Sequence, residues 1–382
     1  MERDLYESDH HLFRDMVRKF VAREISPHRE KWESNGLVDR SAWTAAGAQG
    51  LLGFAAPEEF GGGGTTDFRY RMIVMEELCA GDAASFNAGL SVQDDLALPY
   101  VLDLGTAEQH ERWLPGMCAG TAIGALAMTE PAAGSDLQRI RTTARRTDGG
   151  WVLDGQKTFI TNGILADVVV VFARTDTAAG ARGFTLFLVD TSLPGFRRGR
   201  KLEKLGLRGN DTAELFFDKI ELSDADVLGT VGGGFGHLMD RLPRERLSIA
   251  ASSTASAQAV FDRTRSYVSE RTAFGQRIDG FQNSRFVLAE ISTELDIAWA
   301  YLDRSIRLLN AEELTAVDAA KAKWWMSDLQ QRVIDRCLQL HGGYGYMLEY
   351  PVARAYADAR IQPIYGGTNE IMKEIIGRDL VR

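Results

Sequence analysis

The sequence predicts an α+β multidomain fold: an N-terminal helical domain over residues 1–122, a central antiparallel β domain over 123–231 and a C-terminal four-helix bundle over 232–382. Three observations carry this expectation. Apolar residues recur at helical spacing through the first third, short β-type runs take over near Ala122, and helical spacing returns after Gly232-Gly233-Gly234 and stays.

Leu12, Phe13, Met16, Val17, Phe20 and Val21 form one stripe within His11 to Ile25, which reads as a surface helix packed on a core and ended by Pro27. Gly61 to Gly64 reads as a loop. Helical patterns resume over Tyr70 to Cys79, over Ser85 to Val101, and again behind Thr106-Ala107-Glu108-Gln109, a capping box. Ala122 to Met128, Trp151 to Leu153, Thr158 to Thr161, Val168 to Ala173, Phe184 to Val189 and Ala213 to Phe217 read as strands, with Asp154-Gly155 as a hairpin turn. Strands joined without intervening helices give a small antiparallel sheet or barrel and exclude a doubly wound parallel fold. Phe235, Leu238, Met239 and Leu242 begin a helix near Gly234, which Pro243 either kinks or restarts. Leu288, Ile291, Leu295, Ala298, Leu302, Ile306 and Leu309 alternate by three and four, as antiparallel helices crossing at a shallow angle require.

A chain of 382 residues, 45% hydrophobic, buries cores enough for two or three domains. Its net charge of −9 argues against nucleic acid and anionic membranes as partners. No apolar run approaches membrane-spanning length, so membrane insertion is not expected. Met1-Glu2-Arg3-Asp4-Leu5-Tyr6 has neither a secretory apolar core nor an acid-poor transit character, and the expectation is a cytoplasmic, mature chain. Cys79, Cys118 and Cys337 stand apart, without zinc or disulfide spacing, and read as buried reduced thiols; no metal site is expected. G-x-G-x-x-G after a strand, G-x-x-x-x-G-K-[ST], G-x-S-x-G and H-E-x-x-H are all absent, so nicotinamide, nucleotide-hydrolase, serine-hydrolase and zinc-protease readings lose their usual support.

Two separated segments, Leu242-Pro243-Arg244-Glu245-Arg246-Leu247 and Pro363 to Glu370, read as one split active site. Glu245 sits where a helix is starting and precedes the apolar Leu247, Ile249, Ala250 and Ala251. A carboxylate that is only partly solvated there is a stronger base. The other reading of an Arg-Glu-Arg run is an ion pair on a wet helical face. Four further loops, Met128 to Asp136, Lys157 to Gly163, Arg271 to Gln276 and Gln339 to Gly345, are rich in glycine and hydroxyl residues, and each alone is more often a turn than a site.

Taken together and in this order, these segments resemble the acyl-CoA dehydrogenase family over essentially the whole chain. The long-chain branch is nearest, through Leu242 to Leu247, Glu349-Tyr350-Pro351 and Gln362 to Glu374. The resemblance implies FAD, an acyl-CoA thioester and trans-2,3-dehydrogenation, in fatty-acid β-oxidation or related acyl-CoA catabolism. It places flavin and CoA at Met128, Thr129, Gly134 and Ser135, with Thr129 facing the flavin and Ser135 the CoA. Phe159, Ile160 and Thr161 border the flavin, although Phe159 also suits plain sheet core and Thr161 a plain β-former. Arg271, a planar cationic fork suited to pyrophosphate, joins Phe274, Gln282, Gln339, Gly342 and Gly343 at an FAD shared with the neighbouring subunit. A homo-oligomer, dimer or tetramer, is therefore implied. Thr368 and Glu370 contact FAD in the family and would otherwise be ordinary helix N-terminus residues.

One departure from the commoner pattern is informative. Many members carry the α-proton base directly after the tyrosine of the last loop, where this chain has Gly366; long-chain and isovaleryl members carry it where this chain has Glu245. Loss at one place with gain at the other is what a relocated base predicts. By this resemblance Glu245 removes the α-proton, the β-hydrogen leaves as hydride to flavin N5, the Gly366 N–H supports the thioester oxygen, and Arg246 and Gly367 belong to substrate binding. Electrons then pass to an electron-transfer flavoprotein. An acyl-CoA oxidase or flavin monooxygenase on the same scaffold, and an inactive FAD- and acyl-CoA-binding protein, are the competing readings. Gln93, Asp94 and Asp95 fall on the helix that lines the acyl tail, where charge suits an apolar cavity only if the side chains point away.

Overall fold

The structure, a computed structural model, describes residues 3–381. Met1 and Glu2 of the N-terminal stretch, and Arg382 of the bundle, lie outside them.

The N-terminal third is helical: α1 (Ser8–Phe20), α2 (Arg29–Asn35), α3 (Arg40–Ala48), α4 (Phe68–Ala80), α5 (Ala84–Leu90), α6 (Leu98–Leu104) and α7 (Ala107–Ala119). The capping box forms as read. Thr106 Oγ1 accepts from the Gln109 N–H at 3.3 Å, and Gln109 Oε1 accepts from the Thr106 N–H at 3.0 Å. Between α5 and α6 the helix widens into a π-turn segment over Ser91–Ala97, a distortion that often marks functional sites.

Eight strands form the central sheet: β1 (Gly124–Ala127), β2 (Thr143–Thr147), β3 (Gly150–Thr161), β4 (Val168–Arg174), β5 (Phe184–Asp190), β6 (Phe196–Lys201), β7 (Thr212–Leu222) and β8 (Val227–Leu228). Two points differ from the sequence reading. The sheet is antiparallel except along one side of β4, where β1 lies parallel and β2 adds one parallel pair, Thr143 with Arg174. Asp154-Gly155 is no hairpin, because β3 runs straight through it. The register against β7 shifts between Leu153 and Gly155, and Gly155 adopts φ +148° where a Cβ would stand 2.5 Å from Thr142 Oγ1. The dipeptide's conformational freedom is spent on a bulge instead of a turn.

The C-terminal domain holds α8 (Gly234–Glu270), a short hairpin of β9 (Thr272–Ala273) and β10 (Gln276–Arg277), then α9 (Gln282–Asn310), α10 (Ala316–His341), α11 (Pro351–Ala359) and α12 (Asn369–Leu380). The 37-residue α8 starts at Gly234 as expected but neither breaks nor restarts at Pro243, so Glu245 lies well inside a helix and not at its start. Ile291, Leu295, Ala298, Leu302 and Ile306 of α9 are buried against Ala251 and Ala255 of α8 and Leu329 and Val333 of α10. The three cysteines are buried and unpaired.

One buried ion pair ties the β domain together. Lys157 Nζ, enclosed in β3, donates to Glu130 Oε1 at 2.9 Å, Met128 O at 2.9 Å and Phe172 O at 2.7 Å. Glu130 in turn accepts from the backbone N–H groups of Arg141 and Thr142. Removing one partner strands a charge in a dry site, so Lys157→Met is expected to cost about 3–5 kcal/mol. Lys157→Met combined with Glu130→Leu should recover part of that loss. Urea denaturation measures both; a single variant as stable as the parent protein would show that the pair holds nothing.

Candidate active site

The two segments predicted to share a site do converge. Gly366 has φ +60°, and a Cβ built there would stand 3.5 Å from Glu245 Oε1 and 2.2 Å from Ile249 Cδ1. Glu245 is 7% exposed. No ion pair within 4 Å and no hydrogen bond holds its carboxylate among the described residues, so the wet-face reading fails. Burial pushes the carboxyl up to about 7, against the opposing charges of Arg246 and Lys323.

Glu245 borders a cavity of about 420 Å³ together with Asp95, Leu96, Pro99, Tyr100 and Arg244. The buried Tyr100 hydroxyl has no hydrogen-bond partner, and burial followed by the Glu245 charge raises its pKa. On the other side Tyr365 donates to Gln362 Oε1 at 2.9 Å. Arg246 is buried beside Glu245, and its Nε has no partner.

Three functional-looking residues, Lys323, Arg71 and Ser248, escaped the sequence reading. Lys323 of α10 is fully buried and donates to Gly367 O at 2.7 Å and Asn369 Oδ1 at 3.1 Å, pinning the turn that carries Gly366. Burial, then the Arg246 cation, lowers its pKa to about 8. In sequence it is one lysine on an otherwise ordinary helix, and no local signal marks it. Arg71 of α4 donates to Asp95 through Nε at 3.1 Å and to Ser91 Oγ at 2.8 Å, while Ser248 donates to Asp95 Oδ2 at 2.6 Å. Gln93 is bound to the backbone of Met117, Ala122 and Gly124, and Asp94 to the Gly53 N–H. Gln93 and Asp94 thus do serve backbone groups, whereas Asp95 stays in the wall of the Glu245 cavity.

The second group of site residues clusters around β3. Thr158 N–H donates to Thr129 O at 2.9 Å, joining the Met128–Asp136 loop to the strand. A second register shift between Lys157 and Ile160 puts Phe159 at φ +59°, and its ring is 66% exposed. Phe159 is therefore not sheet core; the buried Ile160 is. Met128, Thr129 and Thr161 are half-buried, and Gly134 and Ser135 are exposed, with nothing within 4 Å of a Cβ at Gly134.

The third group lies at the far end of the bundle. Arg271, Gln339, Gly342, Gly343, Tyr267 and Tyr344 line a groove of about 570 Å³. Arg271 makes no ion pair among the described residues and lies 5.4 Å over the Tyr344 ring. Cβ atoms at Gly342 and Gly343 would meet nothing within 4 Å. Phe274 sits at the tip of the β9–β10 hairpin with φ +51° and 97% exposed, and Gln282 opens α9, also exposed. The lining of this groove includes none of the residues around Phe159. Thr368 caps α12, accepting from the Ile371 N–H at 3.4 Å, and Glu370 is exposed in its first turn. An exposed ring held in left-handed backbone, open glycine positions and an unpaired guanidinium suit a flat ring and a pyrophosphate, so these residues fit FAD.

Family models for the acyl-CoA dehydrogenase N-terminal, middle and C-terminal domains match residues 7–121, 125–220 and 232–381. The long-chain specific acyl-CoA dehydrogenase of Sus scrofa, a mitochondrial protein, is 46% identical over 381 residues, 99% of this chain and 88% of that protein. The crystal structure of acyl-CoA dehydrogenase from Geobacillus kaustophilus superposes with a TM-score of 0.96 at 43% identity, covering 99% of this chain and 100% of the other. A glutaryl-CoA dehydrogenase from Mycobacterium smegmatis, in complex with FADH2, gives 0.92 at 30% identity, covering 98% and 95%. No described helix is long and apolar enough to cross a membrane. Likeness of this extent, in all three domains and in sequence as well as shape, means that the chain belongs to the acyl-CoA dehydrogenase family, the FAD-dependent oxidoreductases of acyl-CoA metabolism.

Proposed function

We propose that this enzyme converts a saturated acyl-CoA to the trans-2-enoyl-CoA with Glu245 as the α-proton base. The observation that carries this reading is the buried Glu245 carboxylate, pushed up to about 7 and facing Gly366. A base poised near the working pH combines a useful ionised fraction with strong proton affinity. The Gly366 N–H supports the thioester oxygen as enolate charge develops, and Lys323 fixes that peptide by holding Gly367 O. Arg246 and Gly367 border the thioester, and Ser135 the CoA.

When bound, FAD supplies the acceptor for the β-hydrogen. Met128, Thr129, Gly134, Phe159, Ile160 and Thr161 would border the flavin, with Thr368 and Glu370 nearby. Arg271, Phe274, Gln282, Gln339, Gly342 and Gly343 would hold the FAD of a neighbouring subunit, which makes the enzyme a homo-oligomer. An electron-transfer flavoprotein is the proposed acceptor of the electrons.

Anaerobic flavin reduction by acyl-CoA in a stopped-flow instrument tests the reading directly. Glu245→Gln should retain FAD and bind acyl-CoA yet reduce its flavin ~10²–10⁴-fold more slowly; an unchanged rate would remove Glu245 from the chemistry. Gly366→Glu in that background should restore part of the rate, and more when Ile249→Ala clears the δ-methyl that a side chain at 366 would strike.

The raised carboxyl also fixes two pH responses. Flavin reduction should climb as pH rises through about 7, and Lys323→Met, which removes a cation that favours the ionised base, should move that climb to higher pH. Between the ordinary value of 4.5 and about 7 the folded protein binds a proton that the unfolded chain has released, so this group's contribution to stability declines as pH rises across that window. Thermal midpoints of Glu245→Gln and the parent should therefore diverge in the variant's favour from pH 4.5 to 7; parallel curves would contradict a buried, neutralised carboxyl.

A further inference from the structure

Beyond Glu245, α8 carries Ser252 and Ser256 past a second, smaller cavity. It holds about 30 Å³ and is lined also by Asn87, Gln330, Asp358 and Tyr365. Ser252 lies roughly 10 Å further along the helix than Glu245 at ~1.5 Å per residue. Tyr365 connects the two places: it precedes Gly366 in the chain, and its hydroxyl feels both the Glu245 carboxylate and the Cys79 thiol, which lies on this cavity. The distance along α8 and the place of Tyr365 between the two put this cavity within reach of the distal end of a medium-length acyl chain whose α-carbon sits at Glu245.

The lining is wrong for a plain hydrocarbon end. Asn87 is 4% exposed and Gln330 2%, and neither Asn87 Oδ1 nor Gln330 Oε1 has a hydrogen-bond partner. The Asn87 amide nitrogen is already used, donating to Ser252 Oγ at 3.2 Å. A buried acceptor left unpaired costs about 1–3 kcal/mol, and a methyl group would leave both in that state. A site holding unpaired acceptors selects the ligand that carries a donor. The cavity is small, which favours a compact terminal group such as a hydroxyl. An acidic end is disfavoured because the Asp358 carboxyl, itself pushed up to about 7 by burial, is part of the same wall, and a second carboxylate there would have to stay protonated or oppose it.

We propose that the enzyme's preferred substrates are acyl-CoA thioesters bearing a hydroxyl at the distal end of the acyl chain, which donates to the unpaired amide oxygen of Asn87. This specificity rests on the dehydrogenase reading given above. The hydroxyl takes no part in bond making or breaking; it selects the chain and holds its end, while Ser252 and Ser256 adjust by rotating their own hydroxyls.

The test compares matched medium-chain acyl-CoA thioesters ending in methyl, hydroxyl or carboxylate, using the FAD-loaded protein and anaerobic flavin reduction at limiting substrate. The hydroxyl-ended thioester should react about tenfold or more efficiently than the methyl-ended one, the equivalent of one hydrogen bond at ~1.4 kcal/mol, and the carboxylate-ended one should be poorest. The same order should appear in dissociation constants measured calorimetrically on Glu245→Gln, which separates binding from turnover. Asn87→Leu should erase the hydroxyl's advantage. Equal or better use of the methyl-ended thioester by the parent protein, as expected if a lone water fills the cavity, overturns the specificity alone. Failure of all three thioesters to reduce the flavin overturns the dehydrogenase reading and this inference with it.

Discussion

Burial of the Glu245 carboxylate, opposed by the cations Arg246 and Lys323, is the interaction around which the centre is arranged. Ionised carboxylates are normally kept in water or given donors, and this one has neither full solvent nor a fixed hydrogen bond. Its environment is set by three elements at once: α8 supplies the carboxylate, the turn after α11 closes over it through Gly366, and α10 supplies the lysine that pins that turn. Lys323 therefore acts twice, as a mechanical clamp on Gly367 and as a positive charge that limits how far the carboxyl can rise. A larger shift would leave the carboxyl protonated at neutral pH, and a smaller one would make it a weaker proton acceptor.

The β domain solves a different problem, which is to present an aromatic ring to solvent without letting it collapse into the sheet. The register shift in β3 turns Phe159 outward in a left-handed conformation, while Ile160 beside it enters the core. Lys157, just before the shift, is anchored from below by Glu130 and two carbonyls, so the irregular segment springs from a fixed point. Phe274 is held in the same backbone region at a hairpin tip. In each case the conformation is one that bulky side chains rarely adopt, and strain of that kind persists where surrounding contacts over-determine it.

Much of this was readable from residues alone. Periodicity gave the order helix, sheet, bundle, and the pairing of the Glu245 and Gly366 segments came with the family resemblance that their motifs carry. What was misread shares a cause: local sequence does not say which tertiary demand a flexible residue will meet. Asp154-Gly155 has the chemistry of a turn, yet pairing along both sides of β3 held the strand straight and the glycine became a bulge. Pro243 looks like a breaker, yet α8 passes through it. Lys323 and Arg71 were invisible because a charged residue in a helical stripe reads as solvated, and only the meeting of distant helices shows that each is enclosed. Asp95 looked out of place for the same reason, since its partners come from α4 and α8.

The three cysteines carry a consequence of another kind. Burial pushes Cys79 and Cys118 up to about 12 and Cys337 up to about 11. Thiolates are the form that peroxide and disulfides attack, and at neutral pH almost none is present at any of these positions. The protein is thereby insulated from the oxidants that accompany electron traffic: it should neither crosslink with itself nor exchange with glutathione while folded, and sulfur modification would become a marker of chains that have opened.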